Sequence, residues 1–193
     1  MQYRNSTQMS MTTKISVPLS EVDEKFLKEL KEKYPSHTRL DIQVVNLDDI
    51  PTFTEEDFWS IIGLLDWNAE TRNEVLTPAV DALAQHPASH IYFFEDILAE
   101  KLYALDTNAH ARAAYPENSF SEDGFLYVRA AVVAQGKEKY EQVLQAPAQI
   151  NPDKDFEPLL SLAALAYEQK TGSEFDYISP TSYETYANEA GWQ

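Results

Sequence analysis

Residues 121–136 read SEDGFLYVRAAVVAQG, and this stretch sets the character of the chain. Ser121 supplies a hydroxyl for the free N–H groups at a helix start. Gly136 suits a helix C-terminal cap. Between them Phe125, Leu126, Val132 and Val133 recur at spacings of three and four, the period of one helix face. Arg129 falls inside that face, with Phe125 at i−4, Leu126 at i−3, Val132 at i+3 and Val133 at i+4. A guanidinium keeps its charge. Buried without a carboxylate and hydrogen bonds, it costs several kcal/mol. The stretch therefore predicts a core helix and an acid facing it.

The acids nearest in pattern lie one helix upstream. Pro87 and Ser89 start a helix with the stripe Ile91, Phe94, Leu98, Leu102 and Leu105. Glu95 sits beside that stripe, with Leu98 three residues on. Asp96 and Glu100 extend a carboxylate row, and Asp123 occupies the first turn of the Arg129 helix. One reading of Glu95, Asp96, Asp123 and Arg129 is a polar pocket that binds a small ligand or carries out acid–base chemistry. The other, which weighs more, is a structural ion pair that fixes helix register. Trp59 and Trp67, with Tyr92 and its neighbours Phe93 and Phe94, offer a recognition surface, although aromatic stripes at helical spacing more commonly form core. His86 and His90 have a four-residue spacing, but Pro87 interrupts the helix between them, so no metal site is expected.

Working outward, Thr54 caps a helix with Glu55, Glu56 and Asp57 in its first turn and Phe58, Trp59, Ile61, Ile62 and Leu65 as its apolar face. A second helix is predicted over 72–85, and a loop over 107–121. A short helix carries Tyr140, Val143 and Leu144, and a last long one runs from about 156 to 170, stopped by Thr171-Gly172. Residues 173–193 hold Phe175, Tyr177, Tyr183, Tyr186 and Trp192, enough aromatic surface to predict a tail docked on the body. At the other end, Ile15, Val17 and Leu19 alternate as a strand. Val22, Phe26, Leu27, Leu30 and Tyr34 follow at helical spacing, and Leu40, Ile42 and Val44 alternate again. The expected class is mainly α: a helical domain of five to six helices over 54–172, with a strand–helix–strand unit over 14–46 as an α+β appendage. Residues 1–13 read as a flexible leader, with Met9 or Met11 as alternative starts.

The chain holds 193 residues without cysteine, which removes disulfides, thiolate nucleophiles and cysteine metal sites. No Gly-rich phosphate loop, GxSxG elbow, HExxH or EF-hand loop occurs, and no cofactor is expected. No run reaches the ~20 apolar residues of a membrane span, and the polar N-terminus lacks a secretory h-region. These features read as cytoplasmic. Lys and Arg number 15 against 32 Asp and Glu, a net charge of −17. The first 50 residues carry seven cations against eight acids. The remaining 143 carry eight against twenty-four, or −16. Such a field repels nucleic acid and anionic lipid and attracts a basic protein partner.

Several motifs together resemble a known family. They are Phe58-Trp59-Ser60-Ile61-Ile62 after Thr54-Glu55-Glu56-Asp57, then Ser121 to Arg129 with its Asp123-Gly124-Phe125 core, then Gln135-Gly136-Lys137-Glu138, and finally Ala166-Tyr167-Glu168 with Thr171-Gly172. The set is similar to the bacterial domain of unknown function 4240 and spans about 54–172. Val128 stands where that family often has an aromatic, and the loop before Ser121 lacks a Trp-rich segment found in many members. The resemblance implies a bacterial source and a recurring pattern through Asp123, Gly124, Phe125 and Arg129, but no activity. The leading expectation is an acidic protein-binding module of the immunity, antitoxin or regulatory accessory type. The alternatives are a small hydrolase or ligand-binding protein with its pocket around Arg129, and a structural module that forms a homodimer through the N-terminal strands. Whether the protein is an enzyme stays open, with binding placed first.

Overall fold

The computed structural model describes residues 22, 24–39, 52–116 and 120–193. The chain divides into two compact units, 1–49 and 50–193. In the first unit, α1 (Glu24–Lys33) has half-buried Phe26 and Leu30 on one face. On the exposed face Lys25–Glu29 and Lys28–Glu32 stand 3.9 Å apart, pairs that contribute a few tenths of a kcal/mol. The helix stops two residues before Pro35, whose ring disfavours helical backbone in the residue ahead of it. The strands expected around 15–19 and 40–44 lie outside the described residues. Among the described residues the fold is all-helical, with eight α-helices and no strand, so the expected mainly-α class with a strand–helix–strand appendage is corrected to all-α without that unit.

The second unit comprises α2 (Glu55–Ile62), α3 (Thr77–Gln85), α4 (Ala88–Ala104), α5 (Asn108–Ala114), α6 (Glu122–Ala134), α7 (Lys137–Gln145) and α8 (Leu162–Thr171), with short 3-10 turns between α2 and α3 and between α7 and α8. These are seven helices where five to six were predicted. The Thr54 cap is a full capping box: Asp57 N–H donates to Thr54 Oγ1 at 3.2 Å, and Thr54 N–H donates back to Asp57 Oδ2 at 2.8 Å. The expected loop over 107–121 contains α5, capped by the Thr107 hydroxyl. Its AHARAA sequence is too short to show an apolar period, but alanine is the best helix former. Gly136 (φ +95°) stands just past the end of α6, which is capped by Gln135, and serves as the N-cap of α7. Gly172, with φ +70°, closes α8 in the left-handed conformation that glycine tolerates best.

The core is built where the sequence places its stripes. Phe58, Ile91, Phe94, Leu98, Leu102 and Leu105 are fully enclosed, and the Phe58 and Phe94 rings lie 4.9 Å apart. α4 packs on both α6 and α8, and α3 lies along α8. This arrangement turns the α6 face carrying Arg129 toward the C-terminal end of α4.

Candidate functional site

Arg129 has no exposed surface. Phe125, one turn earlier, places its ring 4.9 Å from the guanidinium carbon, a cation–π contact that follows from the i−4 spacing. Nη1 donates to the carbonyls of Leu102 at 2.9 Å and Tyr183 at 3.1 Å, and Nη2 donates to Thr185 Oγ1 at 2.9 Å. The acid is Asp106, also without exposed surface, whose Oδ1 lies 3.8 Å from Nη2. Asp106 is held in turn by the segment after α8. Its Oδ1 accepts from Tyr186 N–H at 3.3 Å and its Oδ2 from Asn188 N–H at 3.0 Å. Thr185 donates onward to the Glu122 carbonyl at 2.8 Å. One charge pair thus ties α4, α6 and residues 183–188 together. Burial pulls the guanidinium pKa down to about 10, against the opposing pull of Asp106 and Glu184, which leaves it protonated at neutral pH.

The acids expected from the pattern are elsewhere. Asp123 is exposed in the first turn of α6. Asp96 accepts the Tyr177 hydroxyl at 2.9 and 3.0 Å. Glu95 is buried at 7% exposure, and burial, with a smaller contribution from Asp96, pushes its carboxyl up to about 7. None of the three is among the groups that bond Arg129. Asp106 was missed, although it carried a signal. It directly follows the last residue of the Leu98–Leu102–Leu105 stripe, at a helix C-terminus, where a negative charge is disfavoured unless something compensates it. With both partners enclosed, the guanidinium and its acid touch no solvent and have no face to offer a substrate. A shallow cleft of about 470 Å³ is lined by Glu100, Tyr103, Pro180, Thr181, Ser182 and Ala187, none of which is Arg129 or Asp106.

The three aromatic candidates also separate. Trp59 is buried, donates Nε1–H to Glu55 Oε1 at 3.0 Å and packs 5.4 Å from Tyr140, so it belongs to the core. Tyr92 is half-buried in a stack with Tyr177 at 4.7 Å and Phe175 at 5.9 Å. Trp67 alone stands largely free at 55% exposure, with one face on Phe156. His110 is buried, with its ring nitrogens on Thr107 Oγ1 at 2.7 Å and the Val143 carbonyl at 3.1 Å. Among the described residues no group of three or more His, Asp or Glu side chains is assembled to hold a metal ion. No helix among them is long and apolar enough to cross a membrane.

Three of the seven surface cations of residues 50–193 are paired inside the unit. Arg72 pairs with Asp155, Lys101 with Glu55 at 2.8 Å and Lys137 with Glu56 at 3.9 Å. A family profile described as "Protein of unknown function (DUF4240)" matches residues 53–169. The chain belongs to this family. The match takes in α2 to α7 and most of α8, with Arg129 and Asp106, and ends before Tyr183, Thr185 and Asn188, the tail residues that complete the pair. No curated protein and no solved structure matches the chain.

Proposed function

We propose that this member of the family is an acidic protein-binding module that docks on a basic protein, in the manner of an immunity, antitoxin or regulatory accessory protein of the bacterial cytoplasm. The observation that carries this reading is the uncompensated charge of residues 51–193, twenty-four acids against eight cations. Of those eight, Arg129 is enclosed with Asp106, and Arg72, Lys101 and Lys137 are each paired within the fold. Half of the positive charge is therefore already matched internally, and the exposed carboxylates dominate the field outside. A field of one sign speeds encounter with an oppositely charged partner and selects against like-charged ones. Exposed Trp67 is an aromatic anchor of the kind that concentrates binding energy at interfaces. Enclosure of Arg129 and Asp106, which leaves that pair no face for a substrate, supports binding over catalysis there.

The experiment is co-purification from native lysate in about 50 mM and about 500 mM salt, followed by purification of the retained protein and direct measurement of its affinity. The partner is expected to be basic, and its affinity to fall steeply with salt. A purified partner whose affinity is the same at both salt concentrations refutes the reading.

A further inference from the structure

His86 closes α3 and His90 lies in the first turn of α4, with Pro87 as the N-cap between them. The chain does not continue as one helix through this pair, yet the turn brings the rings together. Their centroids are 5.4 Å apart and the two Nδ1 atoms 3.2 Å apart. Phe53 packs on both rings, edge-on to His86 at 5.8 Å and tilted against His90 at 5.4 Å. Side chains held this way need little further ordering to bind a ligand. His90 is buried, while His86 is only half-buried, so one side of the pair is open to water.

Two imidazole nitrogens bound to one tetrahedral ion at 2.0–2.1 Å stand about 3.3 Å apart, close to the separation seen here. We propose that His86 and His90 chelate a divalent transition-metal ion of the zinc, nickel or copper class through their two Nδ1 atoms, with water completing the shell. Imidazole suits these ions. Without the ion, the two Nδ1 atoms share one proton in a ring-to-ring hydrogen bond. Binding moves that proton to Nε2 of the same ring, so both Nδ1 lone pairs face the metal and no net proton is released. Asp57 attracts a cation at this place and Lys170 opposes it. The C-terminal end of α3 at His86 contributes partial negative charge. With two protein ligands, the site is an ion clamp joining α3 to α4, separate from the acidic-surface reading.

The test is calorimetric titration of the chelator-treated full chain with zinc and nickel chloride at neutral pH. One ion per chain is expected. His86→Ala and His90→Ala are each expected to bind roughly tenfold or more weakly, since even indirect support of a metal ligand is worth that much. His37→Ala, in the other unit, is expected to bind as wild type. Thermal unfolding gives a second readout: saturating zinc raises the Tm of the wild type and leaves that of His86→Ala unchanged. His86→Gln replaces His86→Ala should the latter fail to fold. Absence of binding, or equal affinity in the wild type and the histidine variants, overturns the proposal and leaves the contact as a hydrogen bond between two imidazoles.

Discussion

Asp106→Asn removes one charge at nearly constant shape and probes the inward-facing guanidinium directly. The Oδ1 of Asp106 stands 3.8 Å from Arg129 Nη2 and neither residue has exposed surface. At an effective dielectric constant of about 20, that separation corresponds to about 4 kcal/mol of attraction. The amide keeps an oxygen for Tyr186 N–H but loses the second acceptor, which Asn188 N–H uses at 3.0 Å. Hydrogen bonds from Arg129 to Leu102, Tyr183 and Thr185 remain and soften the loss. The expected cost is about 3–5 kcal/mol, the range for breaking a buried pair from one side. That is a large part of the 5–15 kcal/mol that holds a domain together. Urea unfolding followed by helical circular dichroism measures it. Arg129→Met removes the other charge, and the double variant is expected to cost about 2 kcal/mol less than the sum of the singles, because neither charge is then left alone. A loss below about 1 kcal/mol for Asp106→Asn, or strict additivity, refutes the reasoning.

Glu95 gives a pH signature. Its folded pKa of about 7 lies above the ordinary 4.5, so between those values the folded state keeps a proton that the unfolded chain releases. Stability therefore falls as pH rises through this window. Glu95→Gln is expected to gain up to about 3 kcal/mol at about pH 8 and nothing at about pH 4; equal changes at both pH values contradict the assignment. Thr54→Ala takes the hydroxyl from the capping box and is expected to cost about 1 kcal/mol in denaturant unfolding. Trp59→Ala is expected to lose about 3–5 kcal/mol and Trp67→Ala under about 1 kcal/mol, in line with their burial; a Trp67 effect as large as that of Trp59 contradicts its exposed placement.

Local period made the buried faces legible. Phe58, Ile62, Phe94, Leu98, Phe125 and Val133 recur at helical spacing, and all six are enclosed. The same period turned Arg129 and Glu95 inward, since a helix leaves a side chain no choice of direction once its neighbours are buried. Short segments were less legible: α5 has too few residues to display a period, and its Thr107 cap was the remaining cue. The strand reading of the N-terminal residues rested on alternation alone, a weak signal over five residues, and the described residues contain helices and no strand.

The sequence by itself determined that a permanent charge enters an apolar interface and must meet an acid there, because burial of an unpaired guanidinium is too costly to tolerate. Which acid answers it was decided only by the tertiary structure. Asp106 lies on another helix's end, and the further partners Tyr183 and Thr185 stand 54 and 56 residues away along the chain. Helical periodicity reaches only a few turns. Helix packing and the path of the tail set which distant groups meet, and these depend on how whole faces fit together.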